Sequence, residues 1–185
     1  KIKLDFPDIT FKKGDVFSWF PKTQTVFYKN LRQKNDFAQL LHEIAHAKLQ
    51  HESYQRDITL IDMERSAWEY AVDVLAPAYN LPLQMNDDIV QDSLDSYRDW
   101  LHSRSVCPNC EAVGMEIAKH RYRCLQCHSE WRVNEARSCE LRRGRDGTST
   151  ISTLAISLSL IFGSTGIWST ATTLPSPSLI VMTML

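Results

Sequence analysis

Four of the five cysteines form two C-x-x-C pairs, Cys107-Pro108-Asn109-Cys110 and Cys124-Leu125-Gln126-Cys127, separated by thirteen residues. A stretch with that spacing has few ways to fold, because four thiols that must converge on one ion force the intervening chain to run out and back in short strands. Gly114 and the alternation of Tyr122 with Cys124 fit such strands. Four thiolates around a tetrahedral ion leave no open position, so Cys107, Cys110, Cys124 and Cys127 are expected to hold a structural zinc ion. The other use of C-x-x-C, in redox chemistry, needs a thioredoxin-like βαβ setting that neither pair has. Cys139 is left over as a plain thiol, and paired knuckles of this kind point to a reducing compartment.

The remainder bounds the fold class. With 185 residues, 43% of them hydrophobic and 23% charged, the chain suffices for one ordinary domain plus a small appendage, and an α+β class is expected. Twenty-one Lys+Arg against 22 Asp+Glu give a net charge of −1, which excludes a globally electrostatic hold on nucleic acid. The chain starts at Lys1 with no charged-then-apolar leader in the residues that follow, which leaves a fragment or a processed product open; the cysteine usage sets the expectation of a cytoplasmic location. Up to about residue 30 the pattern reads as short strands: Ile2, Leu4 and Phe6 alternate, and Val16–Phe20 and Thr25–Tyr28 flank a hairpin turn. A helix capped by Asn35 or Asp36 should carry Phe37, Leu40, Leu41, Ile44 and Leu49 on one face. A second is expected over about 58–76, with Ile61, Ala67, Tyr70, Ala71, Val74 and Leu75 packed and Pro77 at its end; a third spans about 87–102.

His42-Glu43-Ile44-Ala45-His46 lies on the first of these helices. Four residues turn a helix through about 400°, so both histidines leave from one face and can grip one zinc ion. Glu43 then stands where a general base must stand to take a proton from water and return it to a leaving amine. A catalytic zinc wants a third protein ligand, for which Glu64 and Glu69 compete. Glu64 shares a face with Ala67, Ala71 and Leu75, small enough for close helix approach, whereas Glu69 groups with Asp73 on a solvated edge. Glu64 is therefore preferred. His51 does not meet the Gly-containing H-E-x-x-H-x-x-G-x-x-H pattern and reads as a surface residue at the helix exit. Tyr70, Tyr54 and His51 are weak candidates for an oxyanion donor, and Thr25–Tyr28 is a candidate edge strand for an extended substrate.

The run from Phe37 to His46, then Glu64-Arg65-Ser66-Ala67-Trp68-Glu69-Tyr70-Ala71 and Leu75-Ala76-Pro77, resembles the ImmA/IrrE group of zinc metallopeptidases over about residues 10–80. The group carries an H-E-x-x-H helix, then a helix with a glutamate ligand, an aromatic-Ala pair and a closing Leu-x-Pro; Glu64 matches its E-x-x-A form. The resemblance implies a small zincin-like domain and an intracellular gluzincin-type endopeptidase whose substrates are often helix-turn-helix repressors. The cysteine segment in turn resembles a zinc ribbon, with Glu111 where a Gly often follows the first knuckle.

The expected organisation is thus a peptidase domain over 1–103, a four-cysteine ribbon over 104–137 and a tail over 138–185. Arg104, Lys119, His120, Arg121, Arg123, Arg132 and Arg137 interleave with Tyr122 and Trp131, which admits nucleic-acid contact through the ribbon; a solvated face and protein docking explain the pattern as well. The tail has no charged residue from 151 on. A membrane span can be drawn over 151–174 behind Arg142, Arg143 and Arg145, but ten of those 24 residues are Ser or Thr, so an unstructured tail or residues foreign to the native frame compete with it. The competing functions are a SprT-like protease acting on DNA-bound proteins, which expects a third histidine, and a non-catalytic zinc-binding regulatory adaptor.

Overall fold

The computed structural model describes residues 2–134 and 140–145. It is an α+β structure with two small sheets. The first holds β1 (Thr10–Lys13), β2 (Ser18–Phe20) and β3 (Thr25–Tyr28) in the order β1-β3-β2, with β1 parallel and β2 antiparallel to β3. The expected hairpin is thus present as β2–β3, but β3 lies in the middle. With both neighbours hydrogen-bonded to it, β3 has no free edge for a substrate, and the edge beside the helices is β2. Sequence reading missed β1 because Thr-Phe-Lys-Lys has one apolar residue and no alternation. Ile2–Phe6 departs from the expected strand. Those residues open on α1 (Ile2–Asp5), where Ile2 and Phe6, four apart, turn towards the core and Leu4 is 83% exposed.

Helix α2 (Lys34–Lys48) is capped differently from the sequence expectation. Gln33 is the N-cap, and Asp36, three residues in, reaches back so that its carboxylate accepts from the backbone N–H groups of Arg32 and Gln33 at 2.8 and 2.9 Å. From Ala38 to Ala47 every residue of α2 is buried, so this helix is the centre of the core and not an amphipathic rim. Phe37 and Leu49, at its two ends, stay partly in solvent. Helix α3 (Asp57–Tyr70) packs on α2 and runs into one turn of π-helix, Ala71–Leu75, then into α4 (Ala76–Ala78), which keeps Pro77 within its turn. The extra residue in the π turn changes the rotation of the side chains around it, so Val72 is buried and Val74, expected inside, is 48% exposed. Helix α5 (Asp88–Ser105) lies against α3 with Val90, Leu94 and Tyr97 inward.

The second sheet, β4 (Gly114–Ala118), β5 (Arg121–Cys124), β6 (Glu130–Val133) and β7 (Arg143–Arg145), is antiparallel throughout. Arg143–Arg145, assigned to the tail from sequence, is the fourth strand of this sheet, so the cysteine module extends past 137. Its core is Tyr122, Cys124, Trp131 and Val133, with Trp131 fully buried. A Cβ on Gly114 would meet the Trp131 ring and the Arg123 carbonyl oxygen at 2.6 Å, and a backbone atom in a sheet cannot move aside. Gly114→Ala is expected to destabilise this module by about 1–3 kcal/mol, read as an earlier thermal transition in tryptophan fluorescence.

Candidate metal centres

Gln39, His42, Glu43 and His46 form a polar stripe on the buried α2, a placement that is costly unless the groups find partners. The two histidines find one on α3. His42 Nε2 lies 3.1 Å from His46 Nε2 and 3.1 Å from Glu64 Oε2, and His46 Nε2 lies 3.5 Å from the same carboxylate oxygen. A tetrahedron of donors held 2.0–2.1 Å from a central ion has edges of about 3.3 Å, so this triangle fits such an ion. The close approach is made by Ala67 and Ala71, both fully buried on the face of α3 that bears Glu64. Glu69 is turned away, paired with Arg65 at 2.8 Å on the surface.

Electrostatics in this cluster are set by burial against mutual charge. Burial, with His46 second, pushes His42 down to about 4. For His46 burial works in the same direction, but the Glu64 carboxylate outweighs it and holds His46 above its ordinary value. Burial alone would raise Glu64, yet His46 and the hydrogen bonds of both imidazoles hold it well below the usual carboxylate range. His42 is fixed differently: its ring stacks on Trp68 at 4.2 Å and 21°, and its Nδ1 has no hydrogen-bond partner among the described residues.

Glu43 is 3% exposed, and burial pushes it up to about 7. Its carboxylate accepts from the backbone N–H of Trp19 on β2, while Oε1 has no partner among the described residues. A wide cavity of about 630 Å³ lies elsewhere, lined by residues that include Lys13, Lys29, Arg32 and Asp36, none of them in the cluster.

His51 departs from its expected place on the surface. Gln50 takes a positive φ of 54°, and His51 N–H donates back to His46 O at 3.0 Å, a left-handed turn that closes α2 and folds the His51 ring over its last turn. His51 Nδ1 then lies 2.8 Å from His46 Nδ1, its Nε2 3.5 Å from Ser66 Oγ, and its carbonyl accepts from Trp19 Nε1 at 2.9 Å. Both ring nitrogens are engaged, so it is neither a third ligand at this vertex nor a free oxyanion donor. Of the other oxyanion candidates, Tyr54 is buried with Leu60 and Tyr97, and Tyr70 packs on the main core.

The four cysteines also meet. Cys107 and Cys127 sulfurs are 3.6 Å apart and those of Cys110 and Cys124 3.5 Å, close to the edge of about 3.8 Å for sulfur ligands 2.3 Å from an ion. Backbone N–H groups of Asn109, Gln126 and Cys127 point at Cys107 and Cys124 sulfurs. Glu111 and His128, each just after a pair, both adopt positive φ (62° and 59°), so Glu111 carries the conformation for which glycine is the usual residue. Ser129 beside Cys127 holds that thiol down to about 5.

A third group, Asp57, Glu116 and His120, is close enough to hold an ion, but Arg104 already stands there. Arg104, 1% exposed, donates to Asp57 at 2.5 Å, to Asn134 O at 2.6 Å and to His120 Nδ1 at 2.8 Å, while Tyr122 Oη donates to Asp57 at 2.5 Å. Glu116 accepts from the Asp57 backbone N–H at 2.6 Å, so the cysteine module caps the helix that carries Glu64. Tyr122 and Trp131 are buried and Arg121 and Arg123 share Glu130, so the aromatics of the basic run pack inside the cysteine module. Among the described residues no helix is long and apolar enough to cross a membrane, and the 151–174 segment, Arg137 and Cys139 lie outside them. No family model, curated protein or solved structure matches the chain.

Proposed function

We propose that this chain is a zinc-dependent endopeptidase of the ImmA/IrrE kind, cytoplasmic, acting on an intracellular protein such as a helix-turn-helix repressor, with an integral zinc ribbon for substrate or partner docking. The observation that carries the reading is Glu43: a carboxylate buried beside three converging metal-ligating atoms, with one oxygen left without a partner among the described residues. A metal held only for structure has no use for such a group, whereas hydrolysis needs a base there. His42, His46 and Glu64 would hold the catalytic ion, and Cys107, Cys110, Cys124 and Cys127 the structural one. When bound, zinc supplies Lewis-acid polarisation and acidifies water. Glu43 accepts the proton released on attack and passes it to the departing amine, and the Trp19 N–H fixes the carboxylate while it does so. Glu64, not a histidine, completes the triangle, which favours this group over a SprT-like protease.

One observation favours the adaptor reading: His42, Glu43, His46 and Glu64 are all 0–3% exposed, so a polypeptide reaches them only once their cover opens. Metal content separates the two sites first. Plasma mass spectrometry on the full chain should give two zinc ions, falling to one in His42→Ala and to one in Cys107→Ser/Cys110→Ser. One ion that survives His42→Ala and is lost with the cysteines would sink the peptidase reading. A shortened chain should end after Arg145, since a cut at Arg137 removes β7.

A further inference from the structure

We propose that His51 is the positioning residue of the catalytic centre, holding His46 in its metal-binding tautomer and tying α2 to α3 at the level of the ligands; this rests on the His42–His46–Glu64 cluster being a metal site. The direction of every proton in the connection is set from its far end. The carbonyl of Met63 can only accept, and Ser66 Oγ donates to it at 3.0 Å. Ser66 thereby keeps a lone pair for the N–H of His51 Nε2, 3.5 Å away. With its proton on Nε2, His51 presents a bare Nδ1 to His46 Nδ1 at 2.8 Å, and only a protonated Nδ1 on His46 satisfies that contact. The lone pair of His46 is then on Nε2, the atom facing His42 and Glu64. The chain of contacts ends one residue before Glu64, on the same turn of α3, so the geometry of two ligands on two helices depends on one imidazole. Ligand histidines in metal sites commonly have their second nitrogen oriented in this way by a carboxylate, carbonyl or water. Here a second histidine does it, while His42 is held by its stack on Trp68.

The test is cobalt(II) and zinc binding by the full-length protein, with chelator competition for affinity and visible d–d bands for the nitrogen- and oxygen-ligated site. The ribbon is followed separately by its thiolate charge-transfer bands. His51→Phe keeps a ring but no acceptor and is expected to weaken binding at the His/Glu site by about 10–100-fold, with altered d–d bands and an unchanged ribbon. His51→Asn returns an acceptor at the Nδ1 position and should recover most of that loss. Ser66→Ala, which removes a single hydroxyl, should weaken binding several-fold. Wild-type affinity and an unchanged cobalt spectrum in His51→Phe, or in Ser66→Ala should His51→Phe not fold, overturn the proposal while leaving the peptidase reading intact. A wild-type protein whose metal content is indifferent to His42→Ala overturns both.

Discussion

Glu43→Gln should abolish peptide-bond cleavage and make the metal-free protein more stable, two effects of opposite sign from one atom. Loss of a general base costs about 10²–10⁴ in rate. Glutamine keeps the shape and the Trp19 hydrogen bond, so zinc content should be unchanged. The stability effect comes from the carboxyl, pushed up to about 7 in the fold against an ordinary 4.5. Between those two values the unfolded chain releases this proton and the folded one keeps it. Stability contributed by protonated Glu43 is therefore complete below about pH 4.5 and falls as pH rises to 7, by roughly 3 kcal/mol at 1.36 kcal/mol per unit. The glutamine variant lacks this fall, so its advantage should be absent at pH 4 and full above pH 7. Cleavage of a peptide library, followed by mass spectrometry, and thermal melts of the metal-free protein at both pH values check the pair. A fully zinc-loaded wild type that cuts nothing, with Glu43→Gln no different from it, would point to the adaptor.

Asp57→Ala should be the most damaging single change outside the metal sites. It leaves the Arg104 guanidinium 1% exposed and without its anion, and breaking one side of such a buried pair costs about 3–5 kcal/mol. At 2–4 °C per kcal/mol for a structure of this size, a drop on the order of 10–15 °C in Tm is expected. Arg104→Met should cost less, because Tyr122 Oη and a helix-terminal position still solvate the Asp57 carboxylate. Asp57→Ala/Arg104→Met together should recover part of the loss, since no unpaired charge then remains. Differential scanning calorimetry of the three variants decides; a melt for Asp57→Ala within about 2 °C of wild type would remove the ion pair from the account of stability.

The features legible in the sequence were those that repeat at fixed spacing. The four-residue interval between His42 and His46, the two C-x-x-C pairs, and the small face Glu64-Ala67-Ala71 each translate directly into geometry, and the structure brings those residues together. The features that escaped it depend on backbone states or on distant pairing. His51 is turned inward by a left-handed turn at Gln50, a residue type that gives no hint of positive φ. Val72 replaces Val74 inside because of a π turn that leaves no composition signal. Asp57 drew no notice in the sequence, and Arg104 stood there only as one member of a basic run; 47 residues separate them, and no local pattern joins them. β1 is defined by its partner β3 and by nothing in its own four residues.

The network around Arg104 also bears on how such a chain can change over generations. A line drawn between the helical part and the cysteine module at 103/104 passes along this side chain, whose anion is on α3 and whose other acceptors are Asn134 O and His120. The cysteine module supplies the Glu116 carboxylate at the start of α3, and Trp131 Nε1 donates to the Arg104 carbonyl at 3.0 Å. The two parts are therefore not exchangeable cassettes. A descendant that shed the cysteine module would have to replace Asp57 and Arg104 in the same stroke, or find another cap for the helix that presents Glu64.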